Sequence, residues 1–422
     1  MYSGEEVLQK AASGHFSDLV HFCQIHWPVE ETEMPQPEGG IHDLTEFDWL
    51  CWVKTETRRR SGYSIWLVDA MWAYQYQLRP HLALEDGYVP LPCQEILWEA
   101  ETAMQWSHIY EISPASLTLT AATQSIYVEK RVQPTMGEFS RIILIHALYH
   151  RSWEVEGYYK QPLSVWIPTA GRQTRSQSIS PERVWLPQNP TFSRWRNSAC
   201  DCLDILHWNA NSVIGAASGM EHPTVLHLHL ARVILLTPFR DICNLAHGMT
   251  REDPAITSLK IGETRTVVRR WAQEDQHKAR LAMIHAGVLF WHVRRYSAGG
   301  FYEPSALMLA ALALWAYGTF SGVTPSDTNL LVEAQSPDEE PHPTSINLDR
   351  PADDELVQAF IKRGDAMQAL ITGVGDIRSP QGPEKVLLEG CKLVSRLGYW
   401  GSSRKVMRVL NNLSLCRQRF DD

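Results

Sequence analysis

The chain has 422 residues, 44% hydrophobic and 21% charged, with a formal net charge of −9 and a pI near 6.0. That acidic balance argues against bulk binding to nucleic acid, which needs a basic face; the one run of three basic residues, Arg58-Arg59-Arg60, is a small footprint. A chain this long can bury roughly three quarters of its unfolded surface, in one large domain or two ordinary ones.

Helical periodicity dominates from the start. "LVHFCQIHW" opens it. In "ETRRRSGYSIWLVDAMWAYQYQL" the residues Tyr63, Trp66, Ala70, Ala73 and Gln77 recur at three and four, and Arg79-Pro80 ends the helix. "LEDGYVPLPCQEILWEAE" reads as a turn and an extended stretch, with a short helix from about Gln94. A helix is expected from about Glu138 to Glu154. The Ser/Pro/Gln-rich stretch that follows it is irregular. Helix resumes at "RWRNSACDCLDILHWNANSVIGAAS" and again at "PTVLHLHLARVILLTPFRDICNLAHG", where Pro238 should kink or break it. One long helix or two follow from "ITSLKIGE" to "HVRRYS", and the apolar run 305–321 is another. That run is short for the ~20 residues of a membrane span, so it is expected to be a buried helix. An acidic, Pro-rich linker comes next, and the chain closes as helices through "LVQAFIKRGDAMQALITGVGD" and "PEKVLLEGCKLVSRLGYWGSSRKVMRVLNNL". Gly373-Val-Gly375-Asp376 reads as a helix C-cap and turn.

The expected class is all-α, a large irregular helical domain. Its expected divisions are a helical lead-in at 1–44, a helical core at 45–324, the linker at 325–355 and C-terminal helices at 356–422 packing on the core. Sixteen Trp fit a core of large side chains, or an aromatic pocket for an apolar ligand. Eight cysteines without any C-x-x-C, behind a start that lacks a signal-peptide pattern, read as mostly buried thiols in a reducing compartment. The expected location is nucleus or cytoplasm, not secretion.

Few constellations could carry chemistry. His146 and His150 stand at metal-ligand spacing on one helical face, but no third ligand can be named, so no metal is expected there. His227 and His229 point apart on a helix. His285 and His292, seven apart, continue through Arg295 and Tyr296 along one seam, with Trp271, Lys278 and Leu281 nearby. Glu303 would pair with Arg294 or Arg295. This is either a polar seam tying the loop Ser297–Glu303 to the next helix, or a pocket wall with His as acid/base and Arg as anion binder. His292, Arg295, Tyr296 and His285 are therefore the candidate catalytic residues. No nucleotide-binding motif occurs, and no cofactor is expected.

"ETRRRSGYSIWLVDAMWAYQYQLRPHLALEDGYVPLPCQEILWEA" resembles the middle homology region of fungal-specific transcription factors, where a basic "RRR" helix leads into "W…D" and "RP.L…D….LPC.E..W". The stretches "LHLARVILLTPF", "HAGVLFWHVRRYS…FYEPSALMLAALALWAYG", "INLDRPADDELVQAFIKRGDAMQALITGVGDI" and "LGYWG" resemble the branch whose regulators carry two-Cys, two-His zinc fingers. The resemblance covers roughly residues 45–410. It implies an all-helical inhibitory or ligand-sensing domain with a nuclear setting. Family regulators read DNA through N-terminal zinc modules, and neither a binuclear Cys cluster nor a C-x₂₋₄-C…H-x₃₋₅-H pattern occurs here, so direct DNA binding is not expected to carry over. Two functions fit. One is a stand-alone regulatory domain acting through a small apolar ligand or a protein partner, without membrane contact, for a secondary-metabolite gene cluster. The other is a repurposed scaffold, a cofactor-free cyclase, isomerase or pericyclase that works by holding a reactive conformer.

Overall fold

The computed structural model describes residues 5–26, 45–76, 78–160, 171, 185–216, 222–250, 258–322 and 344–416. Within them lie fifteen α-helices and one three-stranded sheet, so the all-α class holds. The irregular stretch after the Glu138 helix, and the acidic linker up to residue 343, fall outside the described residues almost entirely. The chain forms two compact units: Ala12–Gly219, and Met220–Asp422 together with Met1–Ala11.

The N-terminal unit contains most of α1 (Glu6–His26), then α2 (Glu46–Tyr76), α3 (Glu95–Trp98), α4 (Ala103–Ile112), α5 (Leu119–Val128), α6 (Glu138–Lys160) and α7 (Pro190–Ala216). A reciprocal cap starts α2: the Asp48 carboxylate accepts from the Thr45 N–H at 2.8 Å, and the Thr45 hydroxyl accepts from the Asp48 N–H at 3.3 Å. Its apolar face, Tyr63, Trp66, Ala70 and Ala73, is almost wholly buried, as the three-and-four spacing requires. Part of the tryptophan count is core: Trp52 and Trp106 are buried together, with Trp49 and Trp98 against them.

Two carboxylates on α2 hold the segment after it. Glu56, fully buried, accepts from Arg59 at 2.8 Å, from Arg60 at 3.0 Å and from the Cys93 N–H at 2.9 Å. Arg60 also donates to the Cys93 carbonyl and lies over the Trp98 ring, 4.6 Å from its centre. Asp69 accepts from the His81 and Leu82 N–H groups, both at 2.8 Å. One step further on, Glu95 accepts from the Glu138 and Phe139 N–H groups and so caps α6 from outside. Two of the three arginines in the "RRR" run are thus structural, and only Arg58 is exposed.

The C-terminal unit holds α8 (Pro223–Leu236), α9 (Phe239–Thr250), α10 (Ser258–Glu274), α11 (Gln276–Tyr296), α12 (Glu303–Phe320), α13 (Asp354–Arg363), α14 (Gly382–Ser395) and α15 (Gly401–Ser414). Pro238 does separate α8 from α9, and the stretch read as one helix or two is two, α10 and α11. Every residue of α12 but Thr319 is buried. A helix apolar on all sides must be covered on all sides, and α12 touches α8, α9, α10, α11, α14 and α15. Among the described residues no helix is long and apolar enough to cross a membrane.

The segment 364–376 corrects the expectation of helix. A 3₁₀ turn at Gly364–Ala366 leads to β2 (Gln368–Ile371), which pairs parallel with β1 (Ser345–Asn347) and antiparallel with β3 (Gly375–Asp376). Gly373 and Gly375, with φ of +84° and +85°, make the β2–β3 turn and not a helix cap. The run "QALI" is too short to show a period, and the positive φ that a C-cap glycine would need is the same one this turn uses.

Removing Glu56 leaves two guanidinium groups and a buried N–H without their acceptor. The Glu56→Ala protein is expected to lose about 3–5 kcal/mol of stability in urea unfolding, against less than ~0.5 kcal/mol for Arg58→Ala.

Candidate functional site

The seam expected on α11 is only partly assembled. His292 is buried and His285 half-buried, whereas Arg295 and Tyr296 are exposed at the helix end. The His285 Nδ1 lies 2.9 Å from the His229 Nδ1 of α8, so one of the two nitrogens must donate and the other accept. His227, two residues earlier, does point elsewhere, with its ring 4.4 Å from that of Tyr302. Tyr296 sits edge-on to Trp291 at 5.1 Å and 6.1 Å from His292. The result is a histidine cluster shared by two helices. The sequence showed both pairs but not that α8 and α11 would bring them together.

Arg294, not Arg295, is the working arginine. At 100° per residue it lies on the opposite side of α11 from His285. There it donates to Asp349 at 2.5 Å and to Glu389 of α14 at 3.1 Å. Asp349 also accepts from the Thr372 N–H and hydroxyl, at 3.1 and 3.2 Å, so one carboxylate ties α11 to the hairpin. Among the described residues Arg295 makes no ion pair. The pairing expected between Glu303 and either arginine does not occur: Glu303, 1% exposed, accepts from the Ser297 hydroxyl and from the Ala298 and Gly300 N–H groups. It closes the loop before α12 by hydrogen bonds, with the Trp400 indole donating to the Gly299 carbonyl from outside.

His146 and His150 are committed to packing in the N-terminal unit. His146 Nδ1 bonds the Tyr149 hydroxyl, and His150 Nε2 bonds the Leu82 carbonyl at 3.0 Å while its ring stacks on Trp66. Among the described residues no group of three or more His, Cys, Asp or Glu is placed to hold a metal ion. Six of the eight cysteines are buried. Burial pushes the Cys93 and Cys243 thiols up to about 12 and Cys202 to about 11, far from the reactive thiolate.

A cleft of about 630 Å³ lies in the C-terminal unit, and its walls include none of His285, His292, Arg295 or Tyr296. Arg265 and Arg269, one turn apart on α10, and Arg378, just before α14, face it, together with Glu384. Trp315, Phe320, Leu387 and Leu413 form an apolar floor, all nearly inaccessible to water. Nothing in the one-dimensional pattern flagged this cleft, because Arg378 reaches it only through the turn after a hairpin read as helix. The one available hint was two like charges at i and i+4, an arrangement that destabilises an isolated helix.

Fold and residues together define a large all-helical domain. Residues 27–169 match the fungal specific transcription factor domain. The chain is also 20% identical over 320 residues to a transcription factor of Gibberella fujikuroi, covering 75% of this chain and 36% of that protein. It is 22% identical over 323 residues to the nicotinate catabolism cluster-specific transcription factor of Emericella nidulans, covering 69% and 34%. With Transcription factor 1 of Elsinoe fawcettii it shares 24% over 262 residues, covering 59% and 26%. The chain thus spans about a third of the length of these relatives. No solved structure matches. The family match falls outside the stretch that holds the histidine cluster, Arg294 and the cleft.

Two measurements follow. Arg294→Ala leaves Asp349 and Glu389 without their shared cation and should cost about 3 kcal/mol in urea unfolding; Arg295→Ala should cost under ~0.5 kcal/mol. Burial, with His292 nearby, lowers the His227 pKa from 6.5 to about 3. The unfolded chain therefore takes up a proton below pH 6.5 that the folded chain refuses, and stability falls as pH drops from 6.5 towards 3. Between pH 7 and pH 5 this group alone should remove about 2 kcal/mol, and the fall should be smaller by that amount in His227→Gln. His150, whose pKa burial also lowers, keeps part of the slope in that variant.

Proposed function

We propose that this chain is the regulatory part of a fungal transcription regulator. It acts in the nucleus on clustered genes, through a bound small molecule or protein partner and without reading DNA itself. The observation that carries the reading is the family match at residues 27–169, extended by similarity to named transcription factors over as much as 75% of the chain. The name of the Emericella nidulans relative, a cluster-specific factor, supports the clustered targets. Two features support the non-DNA role. The net charge is −9, and Arg59 and Arg60 of the one basic run are bound to Glu56 instead of facing phosphate.

Deleting the gene in its host, with transcripts and metabolites measured together, tests this. A several-fold change in the transcripts of a group of neighbouring genes is expected. Unchanged transcripts, together with an accumulated intermediate that the purified chain converts, would overturn the reading in favour of an enzyme.

A further inference from the structure

The C-terminal cleft joins two chemistries that one ligand can satisfy. Arg265, Arg269 and Arg378 line its wall, together with one acidic residue, Glu384. Arg269 makes no hydrogen bond or ion pair among the described residues and is exposed. Arg378 is held in place: its guanidinium donates to the Asp365 and Met367 carbonyls, and it forms an ion pair with Asp376 at 4.0 Å. Below these groups lie Trp315, Phe320 and Leu387. A volume of about 630 Å³ is within the range of sites that hold small organic molecules.

We propose that this cleft binds a small organic carboxylate, with its anionic head among Arg265, Arg269 and Arg378 and its apolar body on Trp315, Phe320 and Leu387. The planar fork of arginine matches a carboxylate with two parallel hydrogen bonds. The apolar floor has no use for a bare oxyanion, and the excess of arginine over acid along the wall disfavours a neutral guest. The proposal deepens the regulatory reading: it rests on that reading for its consequence in transcription and on the cleft alone for binding.

Calorimetric titration of the full chain tests it, with 2-naphthoate and octanoate as probes, 2-naphthamide as the neutral counterpart and inorganic phosphate as the bare anion. Saturable binding of a carboxylate is expected, about tenfold or more weaker in Arg269→Glu and for the amide, and unchanged in Arg295→Glu. Because Arg269 is exposed, the charge reversal is not expected to unfold the chain, and a matching circular-dichroism melt checks this. The proposal is overturned if neither carboxylate binds, if the amide binds as well as the acid, if Arg269→Glu binds like the parent, or if phosphate alone binds with the same dependence on Arg269. The gene deletion separates the two ideas. Carboxylate binding in a chain whose loss leaves transcripts unchanged sustains the cleft and removes the regulator; altered transcripts without carboxylate binding do the reverse.

Discussion

An ionised carboxylate taken out of water must find donors where it is buried, or the fold bears a penalty of several kcal/mol. Five such groups, Glu56, Asp69, Glu303, Asp349 and Glu389, are at most 8% exposed. Each ties its own element to a loop or to another element. Glu56 and Asp69 fasten the segment after α2, Glu303 closes the loop between α11 and α12, and Asp349 and Glu389 meet at Arg294. The helices supply apolar area, which is directionless. The carboxylates decide which turn goes where, because a backbone N–H at 2.8 Å has one position and one angle.

The second constraint is α12. With apolar side chains on every face it cannot lie at a surface. Six helices cover it, and glycine makes the closest approaches possible. A Cβ at Gly318 would collide with the Ile377 carbonyl, and one at Gly287 of α11 with the Leu348 carbonyl. The hairpin and the segment after β1 therefore sit directly on the helices. This contact is also what carries Arg378 to the rim of the cleft.

Helix positions were legible because their signal is periodic and local: the spacing of Tyr63, Trp66, Ala70 and Ala73, the break at Pro238, the unbroken apolar run of α12. The hairpin was not, because four residues of strand carry no period and two glycines suit a helix end as well as a turn. At the site, the sequence placed His285 and His292 correctly on one helix. It missed that the acid partners of α11 lie 55 and 95 residues further on, so Arg295 was favoured over Arg294. Adjacent arginines look alike in sequence; only the tertiary position of Asp349 and Glu389 tells them apart.

The same distinction bears on function. The residues that most resemble the transcription-factor family, Arg60, Trp66, Asp69, Cys93 and Glu95, are hydrogen-bonded within the N-terminal unit, Arg60 to the Cys93 carbonyl and the others to Ala83, Leu82, Glu56 and Glu138. Their bonds hold the fold of the N-terminal unit, and they say little about what the domain would sense. Specificity has to come from polar groups the fold does not consume. The histidines of the cluster mostly fail that criterion, since His229 and His285 meet each other and His227 is packed against Tyr302. Charged side chains facing an open, apolar-floored space meet it better: a cation that holds no structural element is free to select a ligand without cost to the fold, and Arg269 is such a cation.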